Sequence, residues 1–337
     1  MVKTSPRPKV AVIGCGGTIA SLGTSSLDLM DYPEHGTKLS VEQILERVPE
    51  ASTVAELVAV PFRSVGSNNL TAADWFELRA TLRQLSREQP DLAGFVILHG
   101  TATLEETAFF LNLTLDMPQT TVLTGSQRPI SAVGSDAPMN LISAIRVAAD
   151  ASSRERGVLV VFNDGIHAAR DVIKVSTLRL DTFRSMDFGV LGTVDPDGIH
   201  YYRSAGQRHA PLGAFNTLPD HTQLPRVDIV YSYVGADETF IEAALAKGAK
   251  GIVSAGLAPG LSTRAEKQAL ETAIGHGIAV VQCTRAPLGR VAHRQYLRDA
   301  GLISGEDFSP QKARILLALG LTQTNQVEKL RGYFQTH

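Results

Sequence analysis

Cysteine is nearly absent: Cys15 and Cys283 are the only two in 337 residues. No disulfide framework can hold such a chain together, and a reducing compartment, the cytoplasm, is expected. Charge of one sign is missing too. Lys plus Arg number 32 against 34 Asp plus Glu, so no basic field exists to steer nucleic acid. No apolar run is long enough to span a bilayer. The opening MVKTSPRPKV carries charge but no apolar h-region, so no signal peptide is expected. Internal repeats and low-complexity tracts are absent. These gaps set aside nucleic-acid and membrane roles and leave a small molecule as the expected partner. Hydrophobic residues, in contrast, make up 44% of the chain, enough for one large domain or two.

Short β-branched runs alternate with helical patterns. The expected strands are VAVI (10–13), TVAELVAV (53–60), GFVIL (94–98), TTVLT (120–124) and GVLVVF (157–162). Each is apolar on both faces, as in a parallel sheet covered by helices. Capping boxes mark helix starts: Ser40 with Gln43, Thr71 with Asp74 in a weaker version, and Thr103 with Glu106. The reading is a doubly wound α/β fold. Residues 190–225, rich in Gly, Pro and His, break the rhythm and read as a connection or hairpin region. A shorter α/β series follows in VDIVYSYV (227–234), GIVSAG (251–256) and IAVVQCT (278–284). The expected division is an N-terminal domain over 1–220, its connection at 190–220, and a smaller C-terminal domain over 221–337.

Three loops carry candidate chemistry. The first, Gly14-Cys15-Gly16-Gly17-Thr18-Ile19-Ala20, follows the first strand. Glycines there let the backbone turn tightly and approach a ligand, and the carboxyl ends of strands are where open α/β sheets bind ligands. A dinucleotide loop would need a glycine where Ile19 stands. Taken alone, the loop is equally a structural turn with Thr18 capping the next segment. The second, His99-Gly100-Thr101-Ala102-Thr103-Leu104-Glu105-Glu106, again opens a helix from a strand end. Backbone N–H groups there suit an oxyanion. Glu105 and Glu106 read as first-turn acids that match the helix dipole, and His99 reads as a buried, hydrogen-bonded residue. The third runs from Asn163-Asp164-Gly165 to Lys174. A lysine among apolar neighbours has its pKa lowered and can assist proton transfer, though a lone lysine is usually a solvated charge.

In this order the three loops resemble the bacterial L-asparaginase/glutaminase family. Gly66-Ser67-Asn68, Gly125-Ser126-Gln127-Arg128-Pro129, Asp136-Ala137-Pro138-Met139-Asn140-Leu141 and the tail from Pro310 to Thr324 match it as well. The resemblance implies an asparaginase-like fold, no metal or organic cofactor, and sites shared between subunits of a homotetramer or homodimer. It implies Thr18 as nucleophile, Tyr32 as its activator, and Thr101 with Lys174 as a proton-handling pair. It also implies an oxyanion held by backbone N–H groups around Thr101 and Ser126, and a substrate carboxylate bound by Ser67. Asn68 stands where the family often has glutamine.

Departures from the family concentrate on one substrate group. Ala102 replaces an aspartate that pairs with the substrate's α-ammonium. A gap-free count puts Tyr296 where a second acid is expected, and Ala258-Pro259-Gly260-Leu261 replaces an amide-bearing turn. The expectation is therefore an amidohydrolase whose substrate lacks a free α-ammonium. Two alternatives stand beside it: an ordinary L-asparaginase or glutaminase that uses another acid, such as Asp299 or Glu306, and a silent binder of small acids. Retention of Thr18, Thr101 and Lys174 together weighs against silence.

Overall fold

A computed structural model describes residues 7–207 and 209–337. The chain divides into two compact units, one ending at His221 and one running from Thr222 to His337.

Unit 1 is built on strands β1 (Lys9–Gly16), β2 (Glu56–Val65), β3 (Leu92–Leu98), β4 (Thr120–Thr124), β5 (Val158–Phe162), β6 (Gly165–Ala168), β7 (Gly192–Asp195) and β8 (Gly198–Tyr201). They form one sheet in the order β8-β7-β6-β5-β4-β3-β1-β2. The five strands from β5 to β2 pair in parallel, and β6, β7 and β8 extend the sheet antiparallel. The parallel part therefore has the spatial order 2-1-3-4-5. The chain leaves β1 to one side for β2 and returns on the other for β3. That reversal opens a crevice at the carboxyl ends of β1 and β3, where doubly wound sheets hold ligands.

Alternation along the strands divides the core. Val10, Val12, Val96, Leu98, Val122, Leu159 and Val161 join one cluster with helices α1 (Val41–Arg47) and α4 (Ala137–Ala149). On the opposite face run α2 (Ala72–Glu88) and α3 (Leu104–Thr114), joined by Trp75, Phe76 and Phe110, whose rings meet at 5.0–5.2 Å. Cover on both faces is why the central strands read as continuous apolar runs.

Capping boxes are present at Ser40–Gln43 and Thr71–Asp74. Three local expectations change. Thr103 does precede α3, but its side chain makes no capping bond there; the hydroxyl donates instead to the Ser67 carbonyl at 2.9 Å. The strand expected over 53–60 begins at Glu56, because Ala51–Val54 forms a helical turn, and it continues to Val65. It is half-exposed rather than buried on both faces, since β2 is the sheet's edge. Within the region read as a connection or hairpin, β7 and β8 do form a hairpin, and it joins the large sheet. The segment beyond them is tied back where Asp220 and the Leu218 carbonyl accept from the buried Arg79 of α2 at 2.8 and 2.6 Å.

Unit 2 contains β9 (Val227–Tyr231), β10 (Gly251–Gly256), β11 (Ala279–Thr284) and β12 (Ile303–Ser304), parallel throughout and in that order. Helices α5 (Thr239–Ala246), α6 (Arg264–Gly275), α7 (Gln295–Asp299), α8 (Pro310–Leu321) and α9 (Val327–Thr336) belong to it. Here a capping box at Thr263–Glu266 opens α6, and β9 ends at Tyr231, three residues short of the expected run. The molecule is thus α/β, with a larger N-terminal and a smaller C-terminal parallel layer.

Candidate functional site

The crevice between β1 and β3 is closed by backbone against backbone. Gly17 has φ +84°, and a Cβ there would lie 2.3 Å from the Gly100 Cα. Only a residue without a side chain permits that approach in that conformation. The contact sets the first loop directly against the second, and Thr18 and Thr101 are the residues that follow the two glycines. A Cβ on Gly100 would in turn lie 2.8 Å from the Ser67 hydroxyl, so the third element of the crevice is the 3-10 turn Ser67–Asn69 at the end of β2.

Thr18 does not cap the segment that it opens. It begins a 3-10 turn whose N-cap is Gly17, and its half-buried hydroxyl lies 2.8 Å from the Tyr32 hydroxyl. Tyr32 starts a one-turn helix, Tyr32–His35. Ahead of it, Asp28 accepts from the Thr24 N–H at 2.9 Å and from the Asp31 N–H at 3.0 Å. These bonds hold its carboxyl below the ordinary aspartate range, the Thr24 N–H contributing most. The segment is also fastened to the loop after β4, where Gly23 N–H donates to Ser131 Oγ at 2.8 Å and Val133 N–H to the Ser26 carbonyl at 3.0 Å.

On the other side, Lys174 Nζ donates to Thr101 Oγ1 at 2.7 Å. Lys174 lies in a two-stranded ribbon with Phe183–Arg184. Burial lowers its pKa, and the carboxylate of Glu105 opposes that shift. Glu105, read from sequence as a helix-dipole partner, is itself buried and accepts the Lys174 backbone N–H. His99 is fully buried, its ring bonded to the Gly100 carbonyl at 2.8 Å and to Thr107 Oγ1 at 3.0 Å. Burial drives its pKa down to about 4, so it is a neutral support beneath the second loop.

The loop at the end of β4 completes the group. Ser126 is buried and its hydroxyl donates to the Arg128 carbonyl at 2.6 Å. Gln127 Oε1 accepts from Thr101 Oγ1 at 3.1 Å and from Lys174 Nζ at 3.2 Å. Asp136 sets this loop, accepting the N–H groups of Gln127 and Arg128 at 2.9 and 3.0 Å. Asn140 links the Gly125 carbonyl at 3.0 Å to the Asn163 N–H at 2.9 Å.

Thr18 with Tyr32 and Thr101 with Lys174 thus form two bonded pairs around the crevice, with Ser67 beside them. Ala102 is exposed. Asn68 is exposed as well, and its amide donates to Asn69 Oδ1 at 3.4 Å rather than into the crevice. Tyr296 belongs to unit 2, where its ring packs on that unit's core and sits 4.7 Å from the Lys267 ammonium. The carboxylates offered as substitutes are engaged within unit 2: Glu306 by Arg290 at 3.3 Å and by His293, and Asp299 by Gln295 at 2.7 Å. Sequence reasoning assigned no role to Gln127, Asp136 or Asn140. The signal available was that the stretches holding them, 125–129 and 136–141, are among those that match the family. Asp195, Asp197 and His200 bring possible ligand atoms within 4.8 Å of one another at the turn of the β7–β8 hairpin, away from these loops in sequence and already paired through His200 and Asp197.

Comparison with known proteins agrees along the whole chain. Residues 9–207 match the family described as Asparaginase, N-terminal, and residues 226–334 match the Glutaminase/Asparaginase C-terminal domain. L-asparaginase 2 of Bacillus subtilis (strain 168) is 36% identical over 330 residues, covering 98% of this chain and 87% of that protein. The glutaminase-asparaginase of Acinetobacter glutaminasificans is 34% identical, covering 96% and 98%. A solved structure, the probable cytoplasmic L-asparaginase from Campylobacter jejuni, superposes with a TM-score of 0.90 at 33% identity, covering 98% of this chain and 100% of that one. With both of its units matched, this chain belongs to the asparaginase family, hydrolases that cut carbon–nitrogen bonds in amides.

Proposed function

We propose that the chain hydrolyses a small amide through an acyl-Thr18 intermediate, and that its preferred substrate carries no free α-ammonium. The observation behind the mechanism is the pair of bonded hydroxyls, Thr18 to Tyr32 at 2.8 Å and Thr101 to Lys174 at 2.7 Å. A threonine hydroxyl is a weak nucleophile near neutral pH and needs such a partner. In the first step Thr18 Oγ1 bonds to the amide carbon while its proton passes to the Tyr32 oxygen, which gives up its own phenolic proton. The C–N bond breaks, and the leaving nitrogen takes that relayed proton and departs as ammonia. Water then attacks the acyl ester and gives its proton to the Thr101–Lys174 pair. The ester C–O bond breaks, and the proton held by that pair is returned to Thr18 Oγ1, which recovers its hydroxyl. Backbone N–H groups around Thr101 and Ser126 would hold the oxyanion, and Ser67 a carboxylate of the substrate.

The substrate reading rests on Ala102, which offers a methyl group at the second loop, and on Glu105, whose carboxylate is turned to the Lys174 N–H. An ammonium left unpaired in a closed site loses roughly tenfold in affinity per 1.4 kcal/mol of uncompensated desolvation. The ordinary L-asparaginase or glutaminase reading also has support, since the relatives bear those names at 34–36% identity. Ammonia release from asparagine, glutamine and their desamino analogues separates the two. Higher kcat/KM for a desamino amide is expected; asparagine or glutamine turned over as well as every analogue would refute it. Acid quenching during turnover should leave the acyl mass on the peptide containing Thr18.

The working form is proposed as a homodimer or homotetramer, with a second copy on the exposed apolar side of β9. The cytoplasm is the proposed compartment, in keeping with Cys15 and Cys283 as separate, buried free thiols. A detectable share of the protein in an extracytoplasmic fraction would count against that placement.

A further inference from the structure

Gln127 presents its two ends to different partners. Nε2 donates to the carbonyls of Thr177 and Arg179 at 3.3 and 3.1 Å. Both belong to the loop after Lys174. Those two acceptors fix the amide's orientation, because a flipped amide would turn its oxygen toward two other oxygens. Oε1 is therefore committed to Thr101 Oγ1 at 3.1 Å and Lys174 Nζ at 3.2 Å. With the 2.7 Å bond between Thr101 and Lys174, the three polar atoms close a ring.

We infer that Gln127 is a positioning residue for proton transfer, an uncharged acceptor that keeps Thr101 and Lys174 aligned in both protonation states of the lysine. When Lys174 is an ammonium, Nζ donates to Thr101 Oγ1 and to Gln127 Oε1, and the Thr101 proton also points to Oε1. When Lys174 is an amine, the Thr101 proton turns to the Nζ lone pair and an Nζ–H still donates to Oε1. One proton changes place and no polar atom is stranded, so the ring needs no rearrangement between accepting and returning a proton. A carboxylate at that point would favour the ammonium strongly and hold the lysine in one state. The carbonyl adds no charge of its own beside Lys174, on which the carboxylate of Glu105 on α3 already acts.

The inference rests on Thr101 and Lys174 acting as the proton-handling pair, so Lys174→Met is measured alongside. Ammonia release from succinamic acid and from asparagine is followed across pH for the parent, Lys174→Met, Gln127→Met and Gln127→Glu. Gln127→Met keeps the side-chain length and is expected to lower kcat by about tenfold or more, the weight of one hydrogen bond to a charged group, with KM little changed. Gln127→Glu is expected to move the rising limb of the kcat profile to higher pH, because its charge stabilises the ammonium. Titration of the Lys174 13Cε shift, assigned against Lys174→Arg, should show the same upward move without any substrate. Near-parental kcat in Lys174→Met would refute the pair itself. Loss of activity in Lys174→Met with parental rates, pH profile and lysine titration in both Gln127 variants would refute the role of Gln127 alone.

Discussion

Thr18 and Tyr32 share one hydrogen bond of 2.8 Å, and the two hydroxyls should fail to different degrees. Thr18→Ala is expected to lose about a thousandfold or more in kcat, as removal of a nucleophile does. Tyr32→Phe removes one proton carrier and should cost about a hundredfold, the lower range of acid–base assistance. Steady-state rates with acyl-enzyme trapping check both. Glu105 makes a separate test through charge. It raises the pKa of Lys174 against the burial that lowers it, so Glu105→Gln should move the rising limb of the kcat profile to lower pH. His99 tests burial through stability. Its folded pKa of about 4 lies below the ordinary 6.5, so below pH 6.5 the unfolded chain takes up a proton that the folded one refuses. Stability from this group is complete above 6.5 and falls as pH drops toward 4, by about 3 kcal/mol in all. Urea midpoints of His99→Gln should show that part of the acid slope removed.

At the scale of elements, the crevice depends on how closely two loops approach. Gly17→Ala imposes a side chain at φ +84° and drives a Cβ to 2.3 Å from the Gly100 Cα. Left-handed strain alone costs about 1–3 kcal/mol, and the collision must also separate the loops that carry Thr18 and Thr101. Loss of both stability and kcat is expected, read by urea denaturation and turnover on the same sample. Asp136→Ala acts on the loop after β4. It strands the Gln127 and Arg128 N–H groups that the carboxylate accepts, at about 1–3 kcal/mol for each one that stays buried. Its effect on kcat should exceed that of Asp28→Ala, whose bonds are exposed and open to replacement by water.

At the scale of the whole molecule, the sheet of unit 2 has a strand with one edge left open among the described residues. β9 is an edge, and its Ile229 and Tyr231, on one side by alternation, are exposed with Val234 and Phe240 nearby in sequence. Val234 is 91% exposed, and a run of apolar residues on a sheet edge is a liability unless something covers it. A second copy of this chain is the occupant that the proposed assembly supplies. Tyr231→Glu with Val234→Glu should shift the mass from light scattering to a smaller species. A monodisperse, fully active monomer in the unaltered protein would remove the assembly altogether.

Local sequence determined the layer architecture because burial on both faces leaves its mark in every central strand. Val10 through Ile13 and Phe95 through Leu98 are buried without a break, and a parallel sheet under helices is the ordinary way to achieve that. The pairs Thr18–Tyr32 and Thr101–Lys174 were legible through resemblance to a family, not through spacing. Three things were decided by tertiary structure. Strand order made β2 an edge and so half-exposed it, although its run over 57–60 is as apolar as the runs of the central strands. Loop proximity turned the Thr103 hydroxyl away from its own helix to the Ser67 carbonyl, 36 residues distant. Gln127 and Glu105 met Lys174 across 47 and 69 residues. The physical reason is common to all three. A hydrophobic pattern records which faces leave water, whereas a polar side chain at a strand's end takes whichever partner the order of strands brings within three ångströms, and that order is written in no single segment.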